Sequence, residues 1–408
     1  MIGQRSFIAL ALATVLSTSG TRLSAIAIPW LVLTMTGSPV LTGLVGFAEM
    51  LPYVLAKALG GPLIDRIGAR RISVWCDGLS TLAVALVPLL FWLGLLSIWV
   101  LLPAVALIGV LRAPADAAKQ ALVPSVAAMG KLPLERVTGV MGASDRLAGT
   151  LGAAGAGLLI AVLGPAPALL ANALAFVLSA IVVAFGIPAQ QGAVPARDRT
   201  SRYHTELAAG WTVLSRDPVL RGLVLMIAVT NLFDQAYAIV LLPVWVQTSG
   251  LDVTWVGIFL AAFSGASIAG AAIAAIVGHR LPRLAVYTTG FLFAGPFPML
   301  VFAIDAPVPA ILTVLVVSGF SAGFLNPIIG AILFERIPAP MVGRVIALFG
   351  ALAWSLMPFG GLYAGLVVDN FGIAIALGAT AVLYLLATMT PLAVPSFRQM
   401  NRRPLVLA

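Results

Sequence analysis

Gly61-Pro62-Leu63-Ile64-Asp65-Arg66-Ile67-Gly68-Ala69-Arg70-Arg71 concentrates more charge and glycine than any other stretch between apolar segments of this chain. Its meaning depends on what flanks it. Hydrophobic residues make up 61% of the 408 residues and charged residues only 9%, with a mean hydropathy of +1.10. A water-soluble domain carries about 25% charged residues, so this composition excludes one. Each bilayer crossing takes about 20 apolar residues, and the chain alternates runs of that length with short polar breaks. The sequence therefore describes an all-α polytopic membrane protein, with Gly61–Arg71 as a charged turn between two spans.

Helices are expected at 7–33, 41–64, 72–95, 98–119, 137–163 and 167–187, then at 219–247, 253–277, 283–303, 307–333, 344–367 and 371–394. These are twelve transmembrane helices in two six-helix bundles, 1–187 and 219–408. The least hydrophobic stretch, 188–218, links them and carries Arg197, Asp198, Arg199, Arg202, Glu206 and Arg216. A short surface helix is expected near Tyr203–Leu214. The first apolar run, from Ser6 to Leu33, is too long for the core of a signal peptide and reads as the first span.

The basic residues orient the chain. Five of the 23 Lys and Arg residues, namely Arg22, Lys57, Arg112, Lys119 and Arg146, fall inside expected helices away from the cytoplasmic segments and helix ends that hold the rest. All the others lie on one side if the N-terminus is inside, and the opposite loops carry only Asp252, Asp305 and Asp369. Basic residues accumulate on the cytoplasmic face, so both termini are expected there, in a bacterial inner membrane. The net charge of +9 is thus a topology signal and gives no reason to expect a nucleic-acid partner.

The two halves repeat each other. Gly37, Gly43 and Pro114 recur as Gly250, Gly257 and Pro327 at shifts of 213 or 214, and Pro29 and Pro124 recur as Pro243 and Pro338. Beyond a shorter loop the shift becomes 208. There Arg136-Val137, Gly142, Gly152, Gly157-Leu158 and Gly164 match Arg344-Val345, Gly350, Gly360, Gly365-Leu366 and Gly372. Parallel six-helix repeats of this kind are a known transporter architecture, with substrate held near mid-membrane.

With twelve spans and a repeat in place, G-x-L-x-D-R-x-G-x-R-R at Gly61–Arg71 resembles the loop between helices 2 and 3 of the major facilitator superfamily. Arg112, in Leu-Arg-Ala-Pro-Ala-Asp, resembles the helix 4 arginine of that family's second motif. Ile28–Leu33 followed by Thr36–Pro39 resembles the bacterial drug:proton antiporter branch that includes macrolide, tetracycline and enterobactin exporters. The resemblance implies a cytoplasmic gate built from Gly61, Asp65, Arg66, Gly68, Arg70, Arg71, Arg112 and Asp116. In it Asp65, Arg66, Arg70 and Asp116 form a latch that holds the outward-open state; Asp116, four residues from Arg112 and near the cytoplasmic end, is also placed to accept Arg70 or Arg71. Two departures stand out: the fifth helix has no Gly-Pro pair, and Thr21 stands where many of that branch carry an acid. The equivalent loop of the second half, Gly278–Arg283, has no aspartate.

A charge at mid-bilayer costs about 2.5–3.5 kcal/mol on insertion scales, so each one is a functional candidate. Arg22 sits midway along the first helix and maps under the repeat beside Asp234 in the seventh. The two either pair across a cavity or hold opposite ends of a substrate. Glu49 lies two turns into the second helix, about 12 Å deep, and with Asp234 is a candidate proton carrier. Asp77 and the Asp145-Arg146 pair are candidates for the cytoplasmic network. Trp30, Tyr237 and Trp245 are candidates for stacking on a planar substrate or for anchoring at the lipid interface. Asn326 is added to the cavity candidates Arg22, Trp30, Glu49, Asp234 and Tyr237. Glycines of the fifth and eleventh helices are expected to let helices approach closely.

The sequence has no Walker-type phosphate loop. Its two histidines, His204 and His279, lie in cytoplasmic segments, and its single cysteine, Cys76, reads as a packing residue. No cofactor, no metal site and no enzymatic activity are expected. The expected function is proton-coupled efflux of amphipathic small molecules by alternating access, driven by the proton gradient. The alternatives are uptake of a zwitterionic or anionic molecule, lipid flipping, or a non-transporting receptor. Twelve spans in one chain suffice for a monomer.

Overall fold

The computed structural model describes residues 2–188, 203–338 and 341–401. Among them are twelve helices long and apolar enough to cross a membrane. They are α1 (Gln4–Thr36), α2 (Pro39–Leu59), α3 (Ala69–Trp92), α4 (Ile98–Gly130), α5 (Arg136–Leu163) and α6 (Pro165–Gly186), then α7 (Pro218–Thr248), α8 (Thr254–Val277), α9 (Arg283–Ala303), α10 (Val308–Arg336), α11 (Val345–Phe371) and α12 (Ile373–Ala393). A further helix spans Tyr203–Arg216, while the rest of the linker up to residue 202 lies outside the described residues. The spans start where local chemistry favours it. Ser38 caps α2 by accepting from the Leu41 N–H, and Asp217 caps α7 by accepting from the Val219 and Leu220 N–H groups. Each is followed by proline at the first helical position, where its missing N–H leaves nothing unpaired.

The chain packs as two compact units. The first comprises Met1–Val194, Leu242–Ala261 and Gly361–Asp369, and the second Pro195–Leu241, Ala262–Gly360 and Asn370–Ala408. In the first unit α1 packs on α5 and α6, α2 on α4, and α3 on α4 and α6. In the second, α9 packs on α10 and α12, and α7 on α11 and α12.

Gly61–Arg71 differs from the turn expected of it. Residues Gly61–Ile67 form a separate short helix, started by Pro62 and stopped by Gly68, whose φ of +95° admits no side chain comfortably. Ile64 of this helix packs with Ile72, Cys76, Ala115 and Ala118, so an apolar anchor on α3 and α4 holds the charged segment in place.

Four of the second-half spans are broken ahead of a proline. The α7 backbone loosens into a π turn at Tyr237–Leu241, ahead of Pro243. Helix α9 is interrupted at Gly295 before Pro296, α10 at Phe324 before Pro327, and α11 at Ser355–Leu356 before Pro358. Proline removes the bond to the carbonyl four residues back, and each break falls in that stretch. Around Pro29, by contrast, helical structure runs unbroken from Ile2 to Thr36.

The repeated glycines occupy equivalent geometries. Gly37 and Gly250 turn at φ +65° and +70°, and Gly164 and Gly372 at φ +85° and +80°. Within the first unit, a methyl added at Gly43 of α2 would stand 2.1 Å from the Gly361 carbonyl oxygen of α11. One added at Gly257 of α8 would stand 2.5 Å from the Ala153 oxygen of α5. Gly157 packs on Thr254 and Gly257, as Gly365 packs on Pro39 and Val40. These are backbone-on-backbone crossings with no room for a side chain. Gly43→Ala and Gly257→Ala should each cost about 1–3 kcal/mol through overpacking and lower the unfolding temperature of the detergent-solubilised protein. Gly78→Ala, which sits inside a helix and meets nothing within 4 Å, should not lower that temperature.

Candidate functional site

The first unit carries a ladder of polar groups between α2 and α4. Glu49, Tyr53 and Lys57 recur every four residues on α2, and Arg112 and Asp116 share that spacing on α4, so each set lies on one helix face. Gly109 lets the helices close up, since a methyl there would stand 2.2 Å from the Glu49 carbonyl oxygen. Across this crossing Arg112 Nη1 donates to Glu49 Oε1 at 2.6 Å, with both residues buried. The Arg112 guanidinium lies 4.6 Å from the centre of the Tyr53 ring. The Tyr53 hydroxyl donates to Asp116 Oδ2 at 3.2 Å, and Lys57 Nζ lies 5.7 Å from the same ring.

Among the described residues, Asp116 and Arg70 have other partners than each other. Arg70 Nε donates to the Ile187 oxygen at 2.7 Å and its Nη2 to the Ala184 oxygen at 2.5 Å. It thereby satisfies carbonyls at the α6 C-terminus, which have no intrahelical partner, and Asp116 is taken by Tyr53. Arg66 and Arg71 are exposed, and the side chain of Asp65 lies outside the described residues. Gly61 borders open space.

A second ion pair is buried elsewhere in the unit. Lys119 Nζ of α4 reaches both oxygens of Asp77 on α3, at 2.9 and 2.8 Å, and donates to Ser17 Oγ of α1 at 3.0 Å. Ser179 Oγ of α6 donates to Asp77 Oδ2 at 2.7 Å. Four helices thus meet on one closed pair, which the sequence reading had not brought together. Asp145 of α5 accepts instead from Thr18 of α1 at 2.8 Å.

Arg22 differs from these. Gly20, two positions earlier, faces Asn172 of α6, and Arg22 points the other way, over Gly149 and Gly152 of α5. It lies within the electrostatic reach of Asp145, Arg112 and Tyr53. Yet it is exposed and makes no hydrogen bond or ion pair with any of the described residues. Trp30 is half-buried farther along α1.

Asp234 belongs to the second unit. It is exposed on α7, and its recorded partner is the Tyr384 hydroxyl of α12, 3.5 Å from Oδ2. The Tyr384 ring fills the notch at the α9 break, where a methyl on Gly295 would stand 1.9 Å from it. Tyr237 packs on Phe302 with ring centres 5.8 Å apart, and its hydroxyl is buried without a partner among the described residues. Asn326 is exposed on α10. Tyr53 and Tyr384 are the site residues that sequence reasoning missed. The four-residue spacing from Glu49 was a usable signal for Tyr53, whereas nothing in the chain marked Tyr384.

Twelve spans, repeated halves and ionisable groups set within the spans define a polytopic membrane transporter. The sequence profile of the Major Facilitator Superfamily matches residues 10–362 and 224–405, and the chain belongs to that superfamily. It is 30% identical over 396 residues to the multidrug efflux pump Tap of Mycobacterium tuberculosis, covering 96% of this chain and 94% of that protein. It is likewise 30% identical over 390 residues to the Tap of Mycolicibacterium fortuitum, covering 94% of each. Among solved structures, a mutant of the nucleoside transporter NupG superposes with a TM-score of 0.77 at 14% identity, over 95% of this chain and 99% of that one. A bacterial homologue of the iron transporter ferroportin, in an inward-facing state, gives 0.67 at 19% identity, over 95% and 98%. At those identities the likeness is one of fold.

Removing one partner of a buried pair leaves an uncompensated charge, at a cost of about 3–5 kcal/mol. Glu49→Gln should therefore lower the unfolding temperature of the purified protein sharply. The double variant Glu49→Met/Arg112→Met should recover much of that loss, as a thermal-melt mutant cycle would register.

Proposed function

We propose that this chain is a proton-coupled exporter of amphipathic small molecules that works by rocker-switch alternating access. The observation that carries this reading is the end-to-end similarity to the Tap multidrug efflux pumps, at 30% identity over 96% of the chain. The placing of its charges supports it. Glu49 already has Arg112 at 2.6 Å, so its charge is balanced inside the unit. Asp234 has only a hydroxyl beside it, and no cation among the described residues comes within ion-pair distance. Asp234 is thus the better placed of the two to take up and release a proton, with Glu49 fixed in a structural pair. The distribution of basic residues supports a location in the bacterial inner membrane with both termini cytoplasmic.

The test uses purified protein in liposomes that enclose a pH-sensitive dye. Under an imposed pH gradient, candidate drugs and siderophores should drive proton flux through the wild type. Asp234→Asn should abolish that flux while substrate still binds, and Glu49→Gln should retain it in whatever fraction stays folded. Substrate movement without proton flux would overturn the antiport reading in favour of a uniporter or flippase.

A further inference from the structure

From the state of Arg22 we infer that the transported molecules include amphiphiles bearing an anionic group, and that Arg22 is the residue that binds that group. This rests on the reading of the chain as a transporter of amphipathic small molecules, and it adds a substrate class to it. Most of the other charges within the first unit's spans are taken up. Arg112 is held by Glu49 and Lys119 by Asp77, Asp116 accepts from Tyr53 and Asp145 from Thr18, and Lys57 lies near the Tyr53 ring. Of Arg22, Lys57, Arg112, Lys119 and Arg146, Arg22 and Arg146 of α5 are the cations that are exposed and without a side-chain hydrogen bond to any described residue, and of the two Arg22 stands midway along its span. A guanidinium in that position offers five donors and a planar, bidentate face for a carboxylate, sulfonate or phosphate.

The surroundings keep that face open. Gly149 and Gly152 present backbone to the Arg22 side chain. A methyl at 149 would come within 3.5 Å of Nε, and one at 152 within 3.4 Å of Cβ and 2.9 Å of the Ser19 Cα. No α5 side chain from these positions covers the guanidinium. Asp145 is near enough to act on Arg22 electrostatically but is outside ion-pair distance, and its Oδ1 is occupied by Thr18. It lowers the local positive potential without filling the donors. The fit is to a molecule with one acidic group on an apolar body.

The experiment measures binding to purified protein in detergent without any gradient, so its outcome is independent of proton coupling. The probes are 1-anilinonaphthalene-8-sulfonate and N-phenyl-1-naphthylamine, which share an aromatic skeleton and differ by the sulfonate. Wild-type protein should bind the sulfonate more tightly than the neutral probe. Arg22→Gln should weaken the sulfonate by about ten- to a hundredfold, the scale of a lost charge-assisted hydrogen bond, and leave the neutral probe within about twofold. Arg22→Lys should restore part of the sulfonate affinity, and an unchanged thermal melt should show that both variants fold. Equal weakening of both probes, or no change in the sulfonate, would overturn the inference while leaving the exporter reading standing. Loss of proton flux with the Arg22 effect intact would do the reverse.

Discussion

A charge inside a bilayer must be compensated by the protein or used by it. That constraint separates two groups among the ionisable residues of this transporter. In the first, Glu49 with Arg112 and Asp77 with Lys119 are closed pairs, buried and additionally hydrogen-bonded or stacked. Such pairs gain little net stability over an apolar replacement, but either member alone is expensive. Their effect is to fix which helices meet and in what register. In the second group stand Arg22 and Asp234, which are exposed and lack an ion-pair partner among the described residues. The first group explains how the helices are held, and the second points to chemistry with a molecule or proton from outside the fold.

Helix association in a membrane gains little from hydrophobic burial, because lipid is as apolar as leucine. Close approach of backbones takes its place, and glycine makes it possible. The Gly43–Gly361 and Gly257–Ala153 crossings, with Gly365 and Gly157 one turn on, are copies of one another under the internal repeat. The same repeat relates the positive-φ turns at Gly37 and Gly250 and at Gly164 and Gly372. A duplicated sequence drifts wherever side chains are interchangeable. At Gly43 and Gly257, where a Cβ would collide with a carbonyl, and at the positive-φ turns, the two halves still match.

This explains what was legible in the chain. Twelve spans and the repeat could be read because hydropathy and glycine spacing follow from requirements of a single helix or turn. The state of Gly61–Arg71 was less legible: its polar composition suggests a turn, but Pro62 and the buried Ile64 make it a helix. The Lys119–Asp77 pair was hidden because 42 residues separate its members and only the relative rotation of α3 and α4 brings them together. The place of Asp116 near the helix end suggests Arg70 or Arg71 as its partner, whereas the nearby Tyr53 donates to Asp116 and the unpaired carbonyls at the end of α6 hold Arg70.

The repeat also shows where the halves have diverged. At the α2–α4 crossing Gly109 abuts the Glu49 carbonyl, and at the α8–α10 crossing Gly319 abuts the Phe263 carbonyl in the same manner. Glu49 and Phe263 correspond under the shift of 214, but Gly109 corresponds to Gly323, which lies against Ser267 and Ala271, so in the second half the carbonyl at 263 meets a glycine one turn earlier, with an aromatic ring where the first half has an ion-paired carboxylate. The crossing itself therefore needs no charge. The Glu49–Arg112 pair is an addition to a contact that glycine already secures, and its constraint falls on the first half alone. The second half, relieved of it, carries its membrane carboxylate on α7 beside a proline-loosened π turn. There the Tyr384 hydroxyl is the side-chain partner of Asp234 among the described residues, and a change of protonation breaks no ion pair with any of them.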